Sequence, residues 1–190
     1  MRTREPVLAF KSSAALRAWL EKNHARSSGL WLRLYKKASG RTTIAYAEAL
    51  DEALCFGWID GQLKPCDAGS WLRRFSPRRP RGAWSKKNTE HAERLIRSGR
   101  MAPAGLAEVE AARKDGRWAA AYHPPSVATV PADFLRALRR DKKALSFFKA
   151  LNRANLYSIS YRLQTAKTPE TRARRTQKIL AMLARGEKFH

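Results

Sequence analysis

The sequence predicts an α+β fold: a small, mostly antiparallel sheet with helices, followed by a C-terminal all-helical unit. Three features predict it. Helical spacing intervenes between some strand-like runs, while one adjacent pair, Trp58–Lys64 and Ser70–Ser76, reads as a hairpin. A proline-bearing stretch, His123–Pro131, then interrupts the chain, and proline does not sit inside a helix. Beyond it the apolar spacing is helical throughout. The expected organisation is an α+β domain over 1–122, a linker over 123–131 and a helical module over 132–190.

Each element has a local reason. Ser12 is placed to cap a helix that turns Leu16, Trp19 and Leu20 inward. The run Leu30–Tyr35 alternates, with Leu30, Leu32 and Leu34 on one face and Trp31, Arg33 and Tyr35 on the other. A turn at Ala38–Gly40 leads to a helix from Tyr46 to Phe56, striped by Ala49, Leu50, Ala53 and Leu54. Gly57 suits the left-handed position that ends it. Two extended segments follow, with Pro65–Gly69 as their connection, and Pro77 and Pro80 end the second. Trp84 and Ser85 read as staple and cap of a helix with Ala92, Leu95 and Ile96 inward. Gly99 closes that helix and Pro103 opens the next. In the tail, Thr168 caps the last helix, Pro169 takes its first position and Glu170 favours its N-terminal dipole.

Charge narrows the function classes. Lys and Arg number 39 against 16 Asp and Glu, a formal net charge of +23. Such a field attracts polyanions, whether nucleic acid, anionic lipid or acidic polymer; a uniformly basic composition is the competing account. Cys55 and Cys66 are isolated and the four histidines are scattered, so neither a metal site nor a cofactor is expected. Cys55 lies in an apolar run and reads as a small buried hydrophobe. No run approaches the roughly 18 apolar residues of a membrane span. Lys11 and Arg17 interrupt the N-terminal segment where a signal peptide would be apolar. The expectation is a cytoplasmic protein without integral membrane insertion.

Two segments concentrate the candidate binding residues. Arg73, Arg74, Arg78, Arg79, Arg81, Lys86 and Lys87 form a basic run without an acid, and arginine forks suit phosphate or carboxylate. Trp58, Trp71, Phe75 and Trp84 supply a candidate aromatic wall, or else core. Asp60 reads either as part of a pocket or as the partner of a downstream arginine that ties the hairpin together. A secondary basic face lies on the last helix at Arg174, Lys178 and Arg185. No catalytic residue stands out: the ten glycines are dispersed and no Ser or Cys can be matched to His91.

Several exact strings carry a family resemblance. They are Ala53–Gly61, Phe75–Pro80, Trp84–Ser85 with Asn88, and Gly99–Met101, with Ala166–Lys167 and Glu170–Arg172 in the tail. Together they resemble the YdeI/OmpD-associated family, from about Phe10 to Gly186. The resemblance implies bacterial origin and a role in resisting bacteriocins or related stress; it supplies no catalytic residues. The function expected is therefore non-enzymatic: binding of an anionic partner, nucleic acid before other polyanions, through phosphate contacts. The alternative is a small-ligand protein or enzyme with a pocket between the Trp58 segment and the arginine-rich hairpin.

Overall fold

The computed structural model describes residues 5–124 and 126–190; Pro125, one of the prolines of the expected linker, lies outside them. The elements divide between two units, Met1–Gly82 with Asn88–Ala119, and Ala83–Lys87 with Ala120–His190.

The first unit is built on a four-stranded sheet of β1 (Val7–Leu8), β2 (Leu30–Tyr35), β3 (Trp58–Asp67) and β4 (Ser70–Pro77), in the order β1-β2-β4-β3. Only the β1–β2 pair is parallel. The expected mixed architecture is thus present. The alternation of β2 decides its orientation: Leu30, Leu32 and Leu34 are buried while Trp31, Arg33 and Tyr35 are half-buried. Opposite them on β4, Phe75 pairs with Leu30 and Trp71 with Leu34.

Two features differ from expectation. β1 is two residues long, too short for any period to mark it. β3 runs through Pro65 to Asp67, leaving only Ala68 and Gly69 as the turn. β3 lies at the sheet edge, where the missing proline N–H removes no necessary ladder bond. Register shifts flank this stretch, between Asp60 and Leu63 and between Pro65 and Asp67, as bulges do at edges.

The helices assigned wholly to this unit are α1 (Ser13–Asn23), α2 (Tyr46–Cys55) and α4 (Pro103–Lys114), and most of α3 (Lys86–Arg97) belongs here too. The Ser12 hydroxyl caps α1 by accepting from Ala15 N at 3.3 Å. At the end of α2, Gly57 adopts φ +73°, and a Cβ there would meet the Ala104 carbonyl at 3.1 Å. Two acids of α2 are buried with partners. Glu52, 3% exposed, accepts from Arg17 at 3.1 Å and pairs with Arg100. Asp51 accepts from Arg94 at 2.6 Å and meets His91 at 2.8 Å. Burial alone would raise the Asp51 pKa, yet the hydrogen bonds from Arg94 and then His91 hold it below the usual range.

The second unit contains α5 (Ala132–Leu138), α6 (Lys142–Lys149), α7 (Arg153–Gln164) and α8 (Pro169–Ala184). Among the described residues no strand occurs between 133 and 185, as expected. Its core joins Phe134, Leu138, Ala144, Ile159, Leu163, Ile179 and Leu183. Asp141, Asn152 and Thr168 cap α6, α7 and α8 through their side chains. Residues 83–87 count with this unit because Tyr122 N donates to Trp84 O at 3.0 Å and Lys86 N to Tyr122 O at 2.9 Å.

Cys55 is fully buried and Cys66 exposed. Burial, and then the nearby Glu52 carboxylate, push the Cys55 thiol up to about 11. Because the thiolate is the nucleophile, an alkylating reagent at neutral pH is expected to label Cys66 alone. Mass spectrometry checks this: a doubly labelled native protein would contradict the burial of Cys55. Among the described residues no helix is long and apolar enough to cross a membrane.

Candidate functional site

The hairpin β3–β4 carries two residues of the basic run predicted from the sequence, Arg73 and Arg74, one on each face of the sheet. On the inner face Arg73 pairs with Asp60 at 2.7 Å and donates to Tyr46 Oη at 3.1 Å. Tyr46 in turn donates to Asp60 at 2.7 Å, and the Arg73 guanidinium lies 5.0 Å from the Tyr46 ring centre. Burial raises the Tyr46 pKa, and the Asp60 carboxylate adds to this while Arg73 opposes it, so the phenol stays protonated and keeps donating. Asp60 is therefore the structural partner of a hairpin arginine. On the outer face Arg74 Nε donates to Glu5 at 2.8 Å, and that bond lowers the Glu5 pKa against the opposing effect of burial.

The remaining cations are distributed as follows. Arg78 is 8% exposed and its backbone N donates to Gly57 O at 3.0 Å. Arg79 and Arg81 are exposed, the latter at φ 59°. Lys86 and Lys87 are exposed in the second unit. The predicted aromatic wall divides too. Trp58 and Phe75 are buried in the first unit and Trp84 in the second. Trp58 Nε1 donates to His24 O at 3.2 Å and its ring stands edge-on to Trp19 at 5.8 Å. Trp71 is half-buried, 6.2 Å from Tyr46. Arg174 and Lys178 on α8 and Arg185 at its C-cap are all exposed, and Arg185 pairs with Glu187 at 2.8 Å.

The outer face of the sheet brings Arg74 together with residues that the sequence did not single out as candidates. Trp31 and Tyr35 stand on it either side of Arg33, with Leu72 opposite Arg33 and Arg74 opposite Trp31. Lys64 Nζ lies 4.3 Å from the Trp31 ring centre. Arg33 and Arg41 lie 5.0 and 5.1 Å from the Tyr35 ring centre, and Arg41 also donates to Tyr35 Oη at 3.3 Å. Arg33 further contacts Asp67. Four cations thus accompany two aromatic rings, with Glu5 and Asp67 as the acids paired to them. The alternation Trp31-Arg33-Tyr35 was the available sequence signal; the approach of Lys64 and Arg41 was not visible, because both come from other segments.

Among the described residues no group of three or more His, Cys, Asp or Glu is arranged to hold a metal ion. The family model described as Domain of unknown function (DUF8412) matches residues 8–108. The model described as Bacteriocin-protection, YdeI or OmpD-Associated matches residues 127–186. The tail strings at 166–172 fall in the second match, whereas those from Ala53 to Met101 fall in the first. No curated protein and no solved structure matches the chain.

Proposed function

We infer the function of this chain, which belongs to the family of the domain of unknown function DUF8412 and carries a YdeI/OmpD-associated bacteriocin-protection domain at 127–186, as non-enzymatic binding of nucleic acid. Phosphates supply the contacts, and single strands are preferred. The observation that supports this reading is the outer sheet face, where Trp31 and Tyr35 stand among Arg33, Arg41, Lys64 and Arg74. Aromatic rings offer a stacking surface to any base, and cations track the backbone. The net charge of +23 supplies long-range attraction. The same charge repels cationic peptides, so protection against a bacteriocin of that kind acts through an anionic cellular component rather than by capture of the peptide.

The test is fluorescence anisotropy with labelled mixed-sequence oligonucleotides, single- and double-stranded. For roughly six phosphates on a single strand, raising salt fourfold is expected to weaken binding by about 10²-fold or more through counterion release. Trp31→Ala is expected to cost about tenfold on the single strand, the scale of one lost stacking contact. Folded protein that fails to bind at low salt sinks the reading, and unchanged affinity in Trp31→Ala removes the sheet face from it.

A further inference from the structure

The second unit holds a groove of about 470 Å³ lined by residues of α7 and α8 together with Thr165 and Phe189. That volume lies within the range of small-ligand sites, about 300–1,000 Å³. Its chemistry has two halves. Arg162, Arg175 and Lys178 supply positive charge, while Tyr161, Met182 and Phe189 supply apolar and aromatic surface; no Asp or Glu lines it. Helical spacing explains the pairing on α8, where positions 175, 178 and 182 fall on one side of the helix.

The groove is held in place before any ligand arrives. Asn155, 1% exposed, accepts from the backbone N–H groups of Phe189 and His190 at 2.9 and 3.1 Å. Its amide donates to His190 O at 3.3 Å, and Ser158 Oγ meets His190 Nε2 at 2.9 Å. These bonds tether the Phe189 backbone, and the ring centre of Phe189 lies 3.9 Å from the Arg162 guanidinium. Arg175 Nη1 donates to Arg162 O at 2.6 Å and to Thr165 Oγ1 at 3.3 Å. Two guanidinium groups are thereby restrained, which reduces the entropy lost when an anion binds. Lys178 is exposed at the same groove, so one residue of the predicted secondary basic face has a built site beside it. Its neighbours Arg174 and Arg185 are not part of the lining.

We propose that this groove binds a small amphiphilic anion: a phosphate or carboxylate head held by Arg162, Arg175 and Lys178, with a short apolar chain against Met182 and Phe189. The site is confined to the second unit and does not depend on nucleic-acid binding by the sheet of the first.

Titration calorimetry at low salt tests it with octyl phosphate and octanoate below micelle-forming concentrations. Inorganic phosphate and octyltrimethylammonium are the controls. At least one of the two amphiphilic anions is expected to bind tenfold or more tightly than inorganic phosphate, and the cation with the same tail not at all. Lys178→Gln is expected to weaken the anion by about tenfold, the scale of one charge-assisted hydrogen bond. Arg174→Gln removes the same charge outside the lining and is expected to change affinity less than about twofold. Both positions are exposed, and circular dichroism verifies folding. Affinity of both octyl phosphate and octanoate no greater than that of inorganic phosphate overturns the proposal, as does binding of the cation. Equal losses in the two variants overturn it too, since a diffuse basic surface then accounts for the binding. Retained nucleic-acid binding in Lys178→Gln keeps this outcome separate from that of the sheet face.

Discussion

Gly105→Ala is expected to destabilise the first unit by several kcal/mol, against the sign that helix propensity alone gives. Gly105 lies inside α4, where alanine is intrinsically better than glycine by about 1 kcal/mol. Here a Cβ would stand 2.3 Å from the Cys55 carbonyl oxygen and 2.8 Å from that of Leu54. Neither neighbour is a flexible side chain that swings away; both are backbone at the end of α2. The approach is close because Ala102 N, at the start of α4, donates to Cys55 O at 3.1 Å. Relief requires the two helices to part, losing that bond and opening the packing around Ala53 and Val109, each 1% exposed. Overpacking typically costs about 1–3 kcal/mol, and a clash with backbone lies at or above the upper end. Against a domain stability of about 5–15 kcal/mol that is a large share. Chemical denaturation of the variant decides the matter: a midpoint equal to or above that of the parent chain would refute the close helix contact.

Trp58→Ala is expected to cost about 3–5 kcal/mol, the range for deleting a buried large aromatic. The ring is 1% exposed, stacks edge-on to Trp19 and donates to the His24 carbonyl. Deleting it leaves both a cavity and an acceptor without its donor. Trp58→Phe is expected to fall between, keeping part of the volume and losing the hydrogen bond. Trp71→Ala serves as comparison, because that ring is only half-buried against Tyr46; a markedly smaller loss is expected. Thermal or denaturant unfolding of the three variants reads the difference. If Trp58→Ala left stability intact but removed binding of an anionic partner, Trp58 would be a ligand wall rather than a core ring.

These two residues mark where local reading reached its limit. Trp58 was legible as a strand start after a glycine-ended helix, and both neighbours of that assignment hold: α2 ends at Cys55 and Gly57 is left-handed. Whether its ring faced a ligand or the core was not legible, since burial depends on α1, which lies more than thirty residues earlier. Gly105 carried no sequence signal at all, because a glycine that admits another helix looks like any other glycine.

By itself the sequence determined the α+β class, β2 and its two faces, the helix caps at Ser12 and Thr168, and the net charge of +23. Each of these depends on a few consecutive residues or on a sum over the chain. Only the tertiary structure decided that β2 pairs with β4 rather than lying beside β3, and that two residues at Val7–Leu8 complete the sheet. It also decided that Arg73 and Arg74 face carboxylates on opposite sides of the hairpin. Lys64 and Arg41 were likewise brought to the rings of β2 by tertiary structure, and Phe189 to Arg162. The physical reason is range. Periodicity and capping act within one or two turns of chain, whereas strand pairing, burial and charge neutralisation join segments whose separation in sequence carries no trace of their contact.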